Sequence, residues 1–164
     1  MDTPGTTTIE ISKEHLHFSA AHFTLFSRTE RENLHGHNFY VTAQVESPVG
    51  ENGLAFDYNV LKSILKSLCE ELDEKVLLPE QSPYLDITTE GDYLVAKFAE
   101  ERIVFLPRDV LTLAVRNITV EELAPWFLHR VREQDDIASL NITKLTIGVS
   151  SGPGQWARAA WEAS

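Results

Sequence analysis

Apolar and polar residues alternate with a period of two along two early stretches, residues 9 to 22 and 35 to 46. Such alternation sends one set of side chains to a core face and the other outward, so both stretches read as β-strands. Residues 1 to 8 are polar and read as a flexible tail. The segment from Phe23 to Leu34, which carries Arg28, Glu30, Arg31 and Glu32, reads as a charged loop, and residues 47 to 53 form a turn cluster. The period then changes. Leu61, Ile64, Leu65, Leu68 and Leu72 fall three and four residues apart, which predicts a helix with Asn59 as its cap.

Residues 76 to 115 return to β character. Leu85 to Thr89 and Tyr93 to Phe98 flank Glu90-Gly91-Asp92, a hairpin turn, and Arg102 to Leu106 is a third short strand stopped by Pro107. A second helix begins at Thr119, where Thr119 and Glu122 fit a capping box. Its apolar face holds Leu123, Trp126, Phe127 and Val131, and Pro125 lies late enough to bend it. Leu140 to Val149 is the last strand expected, closed by residues 151 to 154. No repeat or linker divides the chain. The expectation is a single domain over 1–164 of the α+β class, with two helices on one face of an antiparallel sheet and an inserted β region at 76–115.

Composition narrows the function. The net charge of −11 excludes an electrostatic footprint for nucleic acid and disfavours anionic membrane surfaces. No apolar run is long enough for a membrane-spanning helix, and the start lacks a signal-peptide core. The one cysteine, Cys69, forbids an intrachain disulfide and fits a cytoplasmic setting; beside the helical stripe it reads as a small core residue.

The chemistry concentrates in Leu34-His35-Gly36-His37-Asn38. On a strand, residues two apart share a face, so His35 and His37 aim two imidazoles at one point. His22 ends the other strand. Three imidazole nitrogens without a fourth protein ligand suit a catalytic zinc with an open position, although the same set suits other divalent ions. His15 and His17 read as ordinary strand residues. A cupin barrel, which also uses His-x-His, needs a glutamate shortly after the second histidine. Val41, Thr42 and Ala43 stand there instead.

Phe18 to His22, His35-Gly36-His37-Asn38, Gly53 to Tyr58, Leu72-Asp73 and Thr119-Val120-Glu121 resemble, in order, the 6-pyruvoyltetrahydropterin synthase family and its 6-carboxytetrahydropterin synthase relatives. The resemblance implies the tunnelling fold, a homo-oligomer (trimer or hexamer) with active sites between subunits, zinc on His22, His35 and His37, and a dihydropterin triphosphate substrate. It implies that Thr119 and Glu121 face the pterin. Three departures bear on the chemistry. The loop before His35 lacks the family's catalytic cysteine; Glu30 resembles the glutamate that replaces it in a subgroup cutting the substrate side chain. Asp73 matches an Asp-His pair, but Glu74 occupies the histidine's place. Ser151 stands where a glutamate anchors the pterin ring. Arg28, Arg31 and Lys75 are candidates for the triphosphate by position. Two readings follow: a zinc-dependent lyase of altered acid–base chemistry with Glu30, Asp73 and Glu74 as its catalytic set, or a metal- and ligand-binding homologue without turnover. They differ in whether an acid–base group stands within reach of a substrate proton.

Overall fold

The computed structural model describes residues 5–164. Ten strands and three α-helices form a mixed sheet carrying helices on one face, with a separate three-stranded sheet beside it. The strand expected over 9 to 22 is two strands, β1 (Thr6–Ile11) and β2 (His17–His22). A turn at 12–16, closed by Leu16 N–H donating to Lys13 O, separates them. Alternation did not reveal the break because Leu16 is apolar and fully buried in the corner. Both strands pair antiparallel with the 14-residue β3 (His35–Pro48), β2 against its first half and β1 against its second. The tail expected over 1 to 8 is therefore corrected at Thr6–Thr8, which belong to β1 and pair with Pro48, Ser47 and Glu46. Threonine suits a pleated edge. The first four residues of that expected tail lie outside the described residues.

Helix α1 (Asn59–Leu72) buries Leu61, Leu65, Leu68, Cys69 and Leu72. Asn59 is its first residue rather than its cap. The Asp57 side chain accepts the Asn59 N–H at 3.0 Å instead. Burial pushes the Cys69 thiol up to about 12, with Asp73 and Glu70 adding to the effect, so it is an inert core group.

After α1 the chain returns beside β2 as β4 (Lys75–Pro79), which pairs parallel with β2. The meander β5 (Asp86–Glu90), β6 (Tyr93–Phe98) and β7 (Glu101–Phe105) forms the second sheet, with Gly91 at φ 61° in its first turn. A single 3₁₀ turn then leads to β8 (Val110–Leu113), parallel to β4. Only part of residues 76 to 115 thus stands apart: β4 and β8 extend the main sheet, and these two parallel pairings make it mixed rather than antiparallel. Phe23, Leu25, Leu78, Leu85, Ala96 and Phe98 form a small core between the meander and the rest.

Helix α2 (Val120–Arg132) starts after Thr119, as the spacing predicts, and continues through Pro125. The capping box is not formed. Thr119 makes no side-chain cap bond, and Glu122 is drawn to the Arg116 N–H and guanidinium. A short α3 (Asp135–Ala138) leads to β9 (Lys144–Gly152), which pairs with β3, and β10 (Gln155–Glu162), which pairs with β9. The sequence reading lacks β10. Its inward positions are Ala157, Ala159 and Trp161, and two alanines give too weak an apolar rhythm to stand out. Across the sheet the order is β10-β9-β3-β2-β4-β8, with β1 sharing the β3 edge used by β2. Helices α1 and α2 pack Leu65, Leu123 and Phe127 onto Phe18, Phe39 and Ile147 of that sheet. Among the described residues no helix is long and apolar enough to cross a membrane.

Candidate metal centre

The β2–β3 register decides the geometry. His22 pairs with His35, Ala20 with His37, and Phe18 with Phe39. Residues directly opposite across an antiparallel pair share a face, as do residues two apart on one strand. All three histidines therefore meet on the core-facing side. Ala20, small and opposite His37, leaves the rings room, and Phe39 sets its ring edge-on to His22 and His37. On the other face Gly36 permits the strands to approach, since a Cβ there would come 3.3 Å from Ala20 O.

One ligand nitrogen from each histidine lies within 4.8 Å of the others. Hydrogen bonds assign two tautomers, because a carbonyl only accepts. His22 Nδ1–H donates to Ile118 O at 2.8 Å, and His35 Nδ1–H donates to Asn33 O at 2.7 Å. Each then presents a bare Nε2 lone pair, held in orientation by the carbonyl behind it as metal-binding imidazoles commonly are. His22 is 5% exposed, and its Nε2 is buried with no hydrogen-bond partner among the described residues. A buried polar atom left unpaired calls for an occupant. His35 Nε2 and His37 Nε2 stand 3.0 Å apart, near the ~3.3 Å expected for two nitrogens on one tetrahedral zinc. Burial, together with the neighbouring His35 and His37, holds the His22 imidazole below its ordinary range despite the Ile118 carbonyl. It is thus neutral, the form that binds metal. The three residues fit a metal ion.

Asn117 supports this arrangement. Its amide nitrogen donates to Leu25 O at 2.9 Å, while its oxygen accepts the N–H groups of Leu25 and Ile118 at 3.1 Å each. It so fixes the peptide whose carbonyl orients His22. Asn117→Ala is expected to weaken binding of a divalent metal by about 10- to 100-fold, measured by competition with a chromogenic chelator.

The histidines open into a cavity of about 390 Å³. Thr119, Glu121 and Ser151, the residues expected to meet a ligand, line it, as does Gln155 from the unforeseen β10. Gln155 sits at a register shift between β9 and β10, after Gly154 at φ 85°. A larger groove of about 750 Å³ runs past α2 and the end of β8. It brings together no comparable histidine cluster among the described residues, so size does not select the site.

The structure separates the acidic candidates. Glu30 is exposed and lies outside the cavity lining; its main-chain carbonyl accepts the Phe26 and Ser27 N–H groups. Asp73 and Glu74 sit on the opposite side of β2. There Asp73 Oδ1 accepts the Ser19 N–H at 2.7 Å, and Glu74, in left-handed backbone at φ 57°, donates its N–H to Ser19 O. Within one chain neither lines the histidine cavity. Two carboxylates do line it, Glu121 and Glu32, and of these Glu32, from the charged loop, stands beside the imidazoles. The Glu32 Oε2 accepts the Thr24 N–H at 2.9 Å and stands 3.9 Å from His35 Nε2. Partial burial pushes the Glu32 carboxyl up, but the Thr24 bonds and the imidazoles of His35 and His22 outweigh it and hold the group below the usual carboxylate range. Of the basic candidates, Arg28 is exposed, Arg31 is bound to Glu101, and Lys75 donates to Arg108 O.

The family model for 6-pyruvoyl tetrahydropterin synthase matches residues 10–161. A Methanocaldococcus jannaschii protein named "Putative 6-carboxy-5,6,7,8-tetrahydropterin synthase" is 27% identical over 144 residues, covering 87% of this chain and 88% of the relative. A Pyrococcus abyssi protein of the same name is 30% identical over 142 residues, covering 85% and 83%. Among solved structures, 6-pyruvoyl tetrahydropterin synthase from Plasmodium falciparum superposes with a TM-score of 0.90 at 26% identity, covering 96% of this chain and 99% of that one. A Plasmodium vivax synthase variant with a catalytic glutamate changed to alanine gives 0.92 at 24% identity, covering 97% and 99%. Since the family model spans nearly the whole chain and the fold superposes over its length, the chain belongs to the 6-pyruvoyl tetrahydropterin synthase family.

Proposed function

We propose that the protein is a zinc-dependent lyase acting on the side chain of dihydroneopterin triphosphate or a related pterin, with Glu32 as the proton-accepting group. The observation that carries this reading is the placement of an anionic carboxylate 3.9 Å from His35 Nε2, in the cavity where the buried His22 Nε2 lacks a partner among the described residues. Zinc held by His22, His35 and His37 would supply Lewis-acid polarisation of substrate oxygens. Glu32 is anionic at neutral pH, and so it begins as a base. The Thr24 N–H fixes one carboxylate oxygen, leaving the other free to take a proton from the substrate side chain. Glu121 and Thr119, at the start of α2, offer acceptors for the ring N–H groups, and Ser151 and Gln155 complete a polar wall. Support for a carboxylate in this role comes from the Plasmodium vivax synthase, described with a catalytic glutamate.

Asp73 and Glu74 could take part only by entering the cavity of a second copy. We therefore place the active unit in a homo-oligomer, a trimer or hexamer with sites between subunits. The test is to incubate zinc-loaded protein with 7,8-dihydroneopterin triphosphate and identify products by mass spectrometry. Loss of triphosphate or shortening of the side chain is expected. Tight binding of zinc and pterin without any product would contradict the lyase reading and favour a non-catalytic binding protein.

A further inference from the structure

The meander β5–β7 contributes no side chain to the histidine cavity lining. It is nonetheless joined to that cavity through Arg31, the residue before Glu32. The Arg31 side chain is only 16% exposed, which is low for an arginine. Its Nε donates to Glu101 Oε2 at 3.1 Å, and Nη2 donates to the same oxygen at the start of β7. Nη1 donates to the Glu32 main-chain carbonyl at 2.8 Å. The guanidinium also lies over the rings of Phe23, 5.1 Å away, and Phe98, 5.8 Å away.

These contacts sit on an apolar seat. Phe23 and Leu25, at the start of the loop, are buried with Ala96 and Phe98 of β6. At the other end of the linkage the Glu32 N–H donates to Thr24 O, and Thr24 returns its N–H to the Glu32 carboxylate. The guanidinium fork binds the meander with one side and the Glu32 peptide with another. A lysine, a single point charge, cannot span both in this way.

We propose that Arg31 and Glu101 are positioning residues, through which the meander holds the Glu32 carboxylate against Thr24 and toward the imidazoles. Glu101 fixes Arg31, Arg31 fixes the Glu32 carbonyl, and the fixed peptide leaves the carboxylate one short reach. The proposal rests on the reading of Glu32 as the proton acceptor. The inserted strands then have a purpose in the fold, which is to keep a charged loop from opening locally beside the cavity.

Amide hydrogen exchange at Thr24, read by NMR on the zinc-loaded full chain, reports the clamp without requiring turnover. Glu101→Gln removes the charge at a half-exposed position and is expected to speed Thr24 exchange about fivefold. Arg31→Met removes the fork and is expected to speed it about tenfold, with Arg31→Lys in between. Amides of the β3–β9 ladder and the zinc stoichiometry stay as in the parent. Arg102→Gln breaks a meander ion pair with Glu90 that does not touch the loop, and Thr24 exchange stays unchanged. In turnover, Glu101→Gln lowers kcat and leaves KM in place. Thr24 exchange that stays unchanged in both Glu101→Gln and Arg31→Met overturns the proposal, as does a rise shared equally by the whole sheet. A parent protein without turnover would instead overturn the reading of Glu32 as catalytic, while Thr24 exchange still decides whether the clamp exists.

Discussion

Glu32→Gln is expected to lower kcat by about 10²- to 10⁴-fold, the usual contribution of a positioned acid–base group, while zinc content stays at the parental value. Glutamine keeps the size of the side chain and an oxygen to accept the Thr24 N–H, so the loop stays folded. It cannot take a proton. Glu30→Gln is the companion variant. Glu30 is exposed and outside the cavity lining, and its replacement is expected to leave kcat within about twofold, in line with surface substitutions away from a site. The reverse pattern, with Glu30→Gln inactive and Glu32→Gln unaffected, would transfer the role to Glu30 and require the loop to rearrange. The pH dependence adds a sign. The Glu32 carboxyl is held below its ordinary range, so the base stays ionised throughout neutral and mildly acidic solution. Its contribution to stability is present above the unfolded value and is lost as pH falls through the folded one. The acid limb of the rate profile should follow zinc release, not titration of Glu32.

Removing zinc is expected to lower the melting temperature substantially. A ligand that binds only the folded chain adds about 4 kcal/mol of stability when its free concentration is 1,000 times Kd. For a chain of this length that corresponds to roughly 8–16 °C. The site gives a structural reason for a large effect. Without an ion, three imidazoles converge, one Nε2 is buried with no partner among the described residues, and two others stand 3.0 Å apart. Scanning calorimetry with and without a strong chelator measures the shift. His37→Ala removes one of three ligands, and its melting temperature should no longer respond to added zinc. A zinc-dependent shift of parental size in that variant would place the ion elsewhere.

Much of the site was legible in the sequence because it depends on short periods. The spacing of His35 and His37 is enough to place both on one face. His22 joins them in the structure because β2 ends opposite the start of β3. The α1 stripe and the hairpin around Gly91 were equally plain. What escaped depends on contacts between distant segments. Glu30 and Glu32 both sit in one charged loop. Only the exchange of hydrogen bonds between Thr24 and Glu32, and the anchoring of Arg31 to Glu101, turns one inward and leaves the other outside. Strand β10 escaped because alanines carry little apolar signal, and with it went Gln155 in the cavity wall. The Thr119 capping box failed because the Arg116 N–H and guanidinium take up Glu122, and a charged partner holds a carboxylate more strongly than the Thr119 main-chain N–H would.

All of this chemistry depends on a single ion shared by His22, His35 and His37. Calorimetric titration of zinc into chelator-treated protein at neutral pH counts that ion and reads its affinity. One zinc per chain is expected, with binding abolished alike in His22→Ala, His35→Ala and His37→Ala and retained in Glu32→Gln. Absence of binding in the parent, or zinc uptake undiminished in any of the three histidine variants, would rule out the shared ion.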